Sequence, residues 1–172
     1  MSNCNTFITV PQQCKDNIGG YKKIWIGAFE GFTFTLSGQT GDAIGMVTAI
    51  QTGVTDLYEM TPARFSSIAG EVQAIDNTNS VWKQTVTSIF VKNEARKRNL
   101  MLSLGQSICI SIVKDSNGKY FLYGSDNGLQ QGTTQTTGTV AADKNIWTVT
   151  LEGDERYPAL EVSASVMASY DL

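Results

Sequence analysis

The chain has no histidine among its 172 residues. That absence excludes Ser-His-Asp and Cys-His catalytic arrangements, histidine zinc sites and the commonest general base near neutral pH. Proline and cysteine are scarce, at 3 residues each. Cys4, Cys14 and Cys109 form no Cys-x-x-Cys pair and have too few potential ligands around them for zinc. A Cys4–Cys14 disulfide and free thiols in a reducing compartment both remain open; the polar character of residues 1–20, unlike a secretory leader, favours thiols. Cys109 is expected to pack as a small apolar side chain. No apolar run approaches the roughly 20 residues that span a bilayer, so a soluble protein made in a cytoplasm is expected. With 13 basic and 16 acidic side chains and a net charge of −3, no broad basic field exists to grip a phosphate backbone.

Apolar residues make up 41% of the chain, enough at this length to bury a core without metals or disulfides. Their spacing is mostly of period two, in short segments separated by turn residues, which predicts a mostly β protein. Phe32, Phe34 and Leu36 alternate with Thr33 and Thr35. Residues 24–29 precede them, and Glu30-Gly31 is expected to close a hairpin. Trp147, Val149 and Leu151 alternate with Thr148 and Thr150, a half-exposed strand, whereas 108–113 is apolar on both faces and reads as buried. Extended runs at 65–76 and 81–91 flank Asn77-Thr78-Asn79, predicting a long antiparallel hairpin. Asn117-Gly118, between 107–113 and 120–123, supplies the positive φ of a tight hairpin turn.

One helix is predicted over 93–104. Asn93 is placed to cap it, Glu94 suits its positive end, and Gly105 follows as a left-handed terminating residue. Ala95, Leu100, Met101 and Leu104 are then expected to cover a sheet, giving a β-sandwich or barrel flanked by one α-helix. Residues 37–60 read as an extended loop or protruding hairpin, and 124–139, rich in glutamine and threonine, as a polar surface loop. The organisation expected is an N-terminal arm at 1–20, a β-sandwich or barrel domain at 21–156 and a C-terminal strand or arm at 157–172. The last carries Leu160, Val162, Val166 and Met167 and is expected to pack on something, a neighbouring subunit among the possibilities.

Catalysis finds no support in the residues. Asp115-Ser116-Asn117-Gly118 and Asp126-Asn127-Gly128 lack the spaced carboxylates and closing glutamate of a calcium loop and read as turns. Glu152, Asp154, Glu155 and Glu161 have no positioned partner and read as an exposed acidic loop. There is no phosphate-cradling glycine motif, nucleophile elbow or dinucleotide fingerprint. Lys92, Arg96, Lys97 and Arg98 concentrate positive charge, but Arg96, Lys97 and Arg98 point about 100° apart on a helix, which suits a solvated face or salt bridges to another subunit better than a phosphate stripe. Trp25, Trp82 and Trp147 sit in strand patterns and read as core or interface, the alternative being sugar stacking in a carbohydrate-binding module.

Two segments carry a resemblance. IVKDSNGKYFLYGSDNGL at 112–129 and TGTVAADKNIWTVTLEGDERYPALEV at 137–162 resemble the C-terminal half of tail structural proteins of tailed bacteriophages, tail-tube subunits and the ring proteins of crAss-like phages among them. The shared order runs through Asp115, Asn117, Gly118, Gly124, Asn127, Gly128, Asp143, Asn145, Trp147, Gly153 and Glu155. Ile146 departs from it, standing where glycine precedes the aromatic residue. Cys4, Cys14 and Asn17-Ile18-Gly19-Gly20 before Ile24-Trp25-Ile26 add a weaker likeness. The resemblance implies a tail-tube-like β-sandwich or barrel with one flanking helix and extended terminal arms. Such subunits self-assemble into rings, six-fold or a multiple, whose strands join around a lumen for genome passage. It implies a virion tail component assembled in the host cytoplasm, with other tail or neck proteins as partners, transient non-specific passage of DNA, and no membrane, cofactor, metal or catalytic residue. Candidate assembly residues are Trp25, Arg96, Lys97, Arg98, Leu160, Val162 and Val166. A neck or connector ring is the nearest alternative, and a carbohydrate-binding adhesion module the alternative of a different class.

Overall fold

The structure, a computed structural model, describes residues 18–38, 45–52, 57–63, 66–75, 80–92, 94–137 and 145–171. The chain is mostly β. In order, it forms β1 (Tyr21–Ala28), β2 (Phe32–Ser37), β3 (Met46–Thr52), β4 (Tyr58–Met60), β5 (Ile68–Ile75) and β6 (Ser80–Val91). After helix α1 (Ala95–Gly105) come β7 (Cys109–Asp115), β8 (Tyr120–Tyr123), β9 (Gln130–Thr136), β10 (Ile146–Glu155), β11 (Leu160–Val162) and the short helix α2 (Ala164–Met167). Seven strands make the larger sheet, in the order β2-β3-β11-β8-β7-β1-β4, and four make the smaller, β5-β6-β10-β9. Every pairing is antiparallel except β3 with β11.

Alternation decides what each strand buries. On β7 both faces are covered, as its double apolar pattern predicts. Cys109 and Val113 point with Ile24, Ile26 and Tyr123 into the space between the sheets, where they meet Val86, Phe90, Val149 and Leu151 of the smaller sheet. Ile110 and Ile112 point the other way, into a second core with Trp25, Leu122, Phe32, Val47 and Met167. The larger sheet thus buries its far face as well, under α2 and the β2–β3 hairpin. Cys109 is fully buried, and desolvation pushes its thiol up to about 11, which keeps it protonated and inert. Cys4 and Cys14 lie outside the described residues.

The β7–β8 hairpin turns where Asn117-Gly118 places it. Gly118 has φ +89°, the Gly118 amide donates to the Asp115 carbonyl, and the Lys119 amide donates to Asp115 Oδ1 at 2.7 Å. The β5–β6 hairpin also forms as its flanking runs predict, in register from Ile68↔Thr87 to Ile75↔Ser80; its turn, 76–79, lies outside the described residues. Helix α1 falls within two residues of its prediction, but its ends differ. Glu94 stands at the N-cap without a side-chain cap, Asn93 lies outside the described residues, and Gly105 is helical rather than left-handed. The last turn instead tightens, with Gln106 donating to the Ser103 carbonyl and Ser107 to that of Leu104.

Four other expectations need correction. Glu30-Gly31 turns the chain, with Gly31 at φ +98°, but closes no hairpin: β1 pairs with β4 and β7 while β2 pairs with β3 at the far edge. Burying both faces of β1 requires central neighbours, and β7 supplies the longer apolar partner. Within 37–60, β3 and β4 belong to the larger sheet rather than to a protruding loop. The polar stretch 124–139 holds a regular edge strand, β9, since threonine favours extended backbone and an edge strand needs little apolar surface. The C-terminal stretch, expected as strand or arm, is a strand of its own domain. Leu160 and Val162 are buried between β3 and β8, Val166 packs on the second core, and Met167 is fully buried.

At the N-terminal side, residues 1–17, most of the expected arm, lie outside the described residues. From Ile18 onward the chain is tied to the β7–β8 turn: the Ile18 amide donates to Asn117 Oδ1 at 3.1 Å, and Ser116 Oγ donates to the Gly19 and Gly20 carbonyls.

Candidate assembly surface

Among the described residues both sheets end in strands unpaired on their outer sides, β2 and β4 in the larger and β5 and β9 in the smaller, and those of the smaller sheet are the longer. Exposed backbone on a long, regular edge invites another strand. The 8-residue β5 also exposes Ile68, Val72 and Ile75 to 66%, 68% and 75%, and Glu71 is its only charged residue. An edge that long, apolar and nearly uncharged lacks the usual protection against pairing with another chain.

The sheet's two faces differ. Gln84, Val86, Ser88 and Phe90 of β6 point into the core, so Thr85 and Thr87 point away from it. Register carries that outer face across the sheet, since Thr87 opposes Thr150 and Thr148 opposes Thr134. By the same alternation the face is rich in threonine, and its charges are Lys83, Glu152 and Asp154.

Loop 124–129, which brings the chain from the larger sheet into β9, is fixed by two buried polar side chains. Glu155, 1% exposed, accepts from the amides of Asp126 at 2.7 Å, Asn127 at 3.1 Å and Gly128 at 3.0 Å. Burial lifts its proton affinity above the ordinary glutamate value, with those amides pulling the other way. Gln84, fully buried, accepts from the Gly124 amide at 2.9 Å and donates to the Tyr157 carbonyl at 3.1 Å. The glycines of the loop have steric reasons: Gly124 and Gly128 both have φ +77°, and a β-carbon on Gly128 would lie 2.3 Å from Ile108 Cγ2. Gly124, Asn127, Gly128, Gly153 and Glu155, read as points along a sequence pattern, gather in this junction. Glu152, Asp154 and Glu155 therefore belong to a strand, not to the exposed acidic loop expected.

A second polar cluster pins the C-terminal end. Asp171 accepts from Lys23 at 2.9 Å, from Lys114, and from the Tyr120 hydroxyl at 2.5 Å. These donors, led by Lys114, hold its carboxyl far below the usual aspartate range, and it raises both lysines in turn. Trp25 Nε1 donates to the neighbouring Tyr170 carbonyl at 3.3 Å. On the inter-sheet side, Tyr21 donates to the Thr87 carbonyl at 3.0 Å, and burial takes the Tyr21 and Tyr123 hydroxyls to about 12.

The candidate assembly residues separate accordingly. Trp25, Leu160 and Val162 are buried and Val166 is half-buried against the second core, so the first three pack within their own chain and offer no surface; a strand run buried by its own sheet looks in sequence like one awaiting a partner. Arg96 and Arg98 are exposed on α1, and Lys97 folds back to the Val91 carbonyl at 2.7 Å. Sequence reasoning did not single out Ile68 and Val72, or β9 as an edge. The threonine-rich 130–136 was the available signal.

A groove of about 510 Å³ opens between β4, the end of β6 and the start of α1, lined by Tyr58, Met60, Phe90, Leu100 and Met101. Among the described residues no helix is long and apolar enough to cross a membrane. Compared with family models, curated proteins and solved structures, the chain matches none.

Proposed function

We propose that this chain is a non-enzymatic virion structural protein of a tailed bacteriophage, a tail-tube or tail-ring subunit that closes into rings through the edges of its smaller sheet. The observation that carries the reading is the pair of edges, β5 and β9, on a sheet of four antiparallel strands. With an even strand count, β5 of one copy runs antiparallel to β9 of the next, so the ladder continues across the contact without changing type. Repetition around an axis removes both edges, a heterologous contact that closes.

Strand geometry bears on copy number. Twenty-four strands at a spacing of about 4.8 Å and a tilt of about 40° make a barrel about 48 Å across, or about 38 Å after side chains. Six copies would therefore leave a lumen wider than a DNA duplex, whereas sixteen strands from four copies would leave about 22 Å. The threonine-rich outer face suits the lumen. Its few charges, one basic and two acidic, leave it slightly negative, so it offers passing phosphates little to hold.

Negative-stain microscopy of the purified chain tests the proposal, with annular particles about 48 Å across at the sheet as the expected result. A species that stays monomeric at every concentration and with tail partners present overturns it. A single ring that never polymerises would assign the chain to the neck or connector alternative.

A further inference from the structure

The chain contains two Asn-Gly steps, Asn117-Gly118 in the β7–β8 turn and Asn127-Gly128 in the loop before β9. Asparagine before glycine is where a polypeptide most readily attacks itself, because glycine has no side chain to keep its backbone nitrogen away from the preceding carboxamide. The fold treats the two steps oppositely. Gly128 is buried and its amide donates to Glu155 at 3.0 Å; a β-carbon there would lie 2.3 Å from Ile108 Cγ2 and 2.9 Å from Phe29 Cδ2, so its nitrogen has no room to swing. Asn127 is fixed too, its own amide held by Glu155 and its Nδ2 donating to the Asp154 carbonyl at 2.7 Å. By contrast Asn117, Gly118 and Lys119 are exposed, and nothing lies within 4 Å of where a Gly118 β-carbon would stand. The Gly118 amide meets the Asp115 carbonyl at 3.2 Å, the long end of ordinary hydrogen bonds. Opening this turn exposes little that is buried, whereas freeing Gly128 disrupts the core junction around it.

Asn117 also holds the start of the domain. Its Oδ1 accepts from the Ile18 amide at 3.1 Å, and its Nδ2 donates to the Ile18 carbonyl at 3.3 Å and to Asp115 Oδ2 at 3.2 Å.

We propose that Asn117 is a deamidation site, that Asn127 is protected from the same reaction, and that the change at Asn117 releases Ile18 from the β7–β8 turn. The Gly118 nitrogen gives up its proton and bonds to Asn117 Cγ; the Cγ–Nδ2 bond breaks and Nδ2 leaves with that proton as ammonia. One water then opens the resulting succinimide at either carbonyl, leaving aspartate or isoaspartate. The balance is one water consumed and one ammonia released, with no oxidant or reductant. Aspartate sets an oxygen where Nδ2 stood, against the Ile18 carbonyl on one side and the Asp115 carboxylate on the other, so acceptor faces acceptor and the side chain turns out. Isoaspartate lengthens the main chain by a methylene inside a turn whose strands are already in register. Ser116 keeps its bonds to the Gly19 and Gly20 carbonyls, so the release stops at Ile18. None of this depends on ring assembly.

The test ages the full chain, folded, in mildly alkaline buffer and follows it by peptide mass spectrometry. Trypsin cuts after Lys114, Lys119 and Lys144, which places the two Asn-Gly steps in separate peptides. The mass gain of deamidation should appear in the 115–119 peptide more than about tenfold faster than in the 120–144 peptide, and the difference should vanish in concentrated urea. Equal rates in the folded chain, or earlier loss at Asn127, overturn the proposal. Asn117→Asp and the aged protein report the release by NMR: the Ile18 amide should exchange with solvent about tenfold faster than in fresh wild type, with the Ile112 amide unchanged. Faster exchange in the aged protein alone assigns the release to isoaspartate. Unchanged Ile18 exchange in both samples, or a rise at Ile18 and Ile112 together, overturns it.

Discussion

Gly153 and Gly128 meet backbone to backbone: a β-carbon on Gly153 would lie 2.5 Å from the Gly128 carbonyl oxygen and 2.9 Å from Leu129 Cδ2. Neither neighbour can yield, because the Gly128 amide is held by Glu155 and Leu129 is fully buried. Gly153→Ala should therefore cost about 2 kcal/mol, the scale of core overpacking, read as a fall of roughly 6 °C in thermal midpoint. A midpoint within a degree of wild type would mean that the loop moves aside freely.

Glu155→Ala leaves three amides without their acceptor and should cost about 3 kcal/mol in urea unfolding. Glu155→Gln keeps one acceptor oxygen and should fall between. Since the loop leads into β9, the alanine variant should also lose ring assembly at temperatures where its β signal in circular dichroism is intact.

The Asp171 cluster makes a pH prediction. Its carboxyl binds a proton less readily folded than unfolded, so its stabilisation is fully present above the ordinary aspartate value of 3.8 and is lost as pH falls toward the folded value. Asp171→Asn should lower the thermal midpoint by about 4 °C at pH 7, and the gap from wild type should narrow below pH about 4. A gap that stays constant down to pH about 2.5 would refute the assignment.

Proline scanning of β9 probes its outer edge. Along an antiparallel edge strand successive amides point alternately to the paired and the open side, so of Thr133→Pro and Thr134→Pro one removes a donor facing β10 and the other a donor facing outward. The first should destabilise the fold by about 3 kcal/mol. The second should leave the midpoint nearly unchanged yet give only monomers by sedimentation. If both variants assemble, β9 is not a ring contact.

What sequence could reveal followed the range of the interaction. The β7–β8 hairpin rests on Asn117-Gly118 and its neighbours, α1 on a run of helix formers, and β5–β6 on two extended runs around a polar turn, so each was legible locally. Pairings between distant segments were not. Nothing near Leu160 announces that it will lie between β3 and β8, and nothing near Glu155 that its carboxylate will hold amides 27 to 29 residues away. The same limit explains the candidate residues: Arg96 and Arg98 are exposed because a helix has a solvent side, whereas Trp25, Leu160 and Val162 are apolar strand residues whose covering elements come from elsewhere in the chain. The open edges of the smaller sheet required its strand order, which no local pattern encodes.

The position of β11 has a consequence for how the larger sheet comes together. Among the described residues the β2–β3 hairpin pairs with the other strands only through β11, by the parallel pairing of Val162 with Val47 and the bond from the Ser163 amide to the Val47 carbonyl. A link between segments 115 residues apart closes a very large loop for a short ladder. We expect that pairing to form late in refolding, so that Val162→Ala speeds unfolding and leaves the refolding rate nearly unchanged in stopped-flow kinetics.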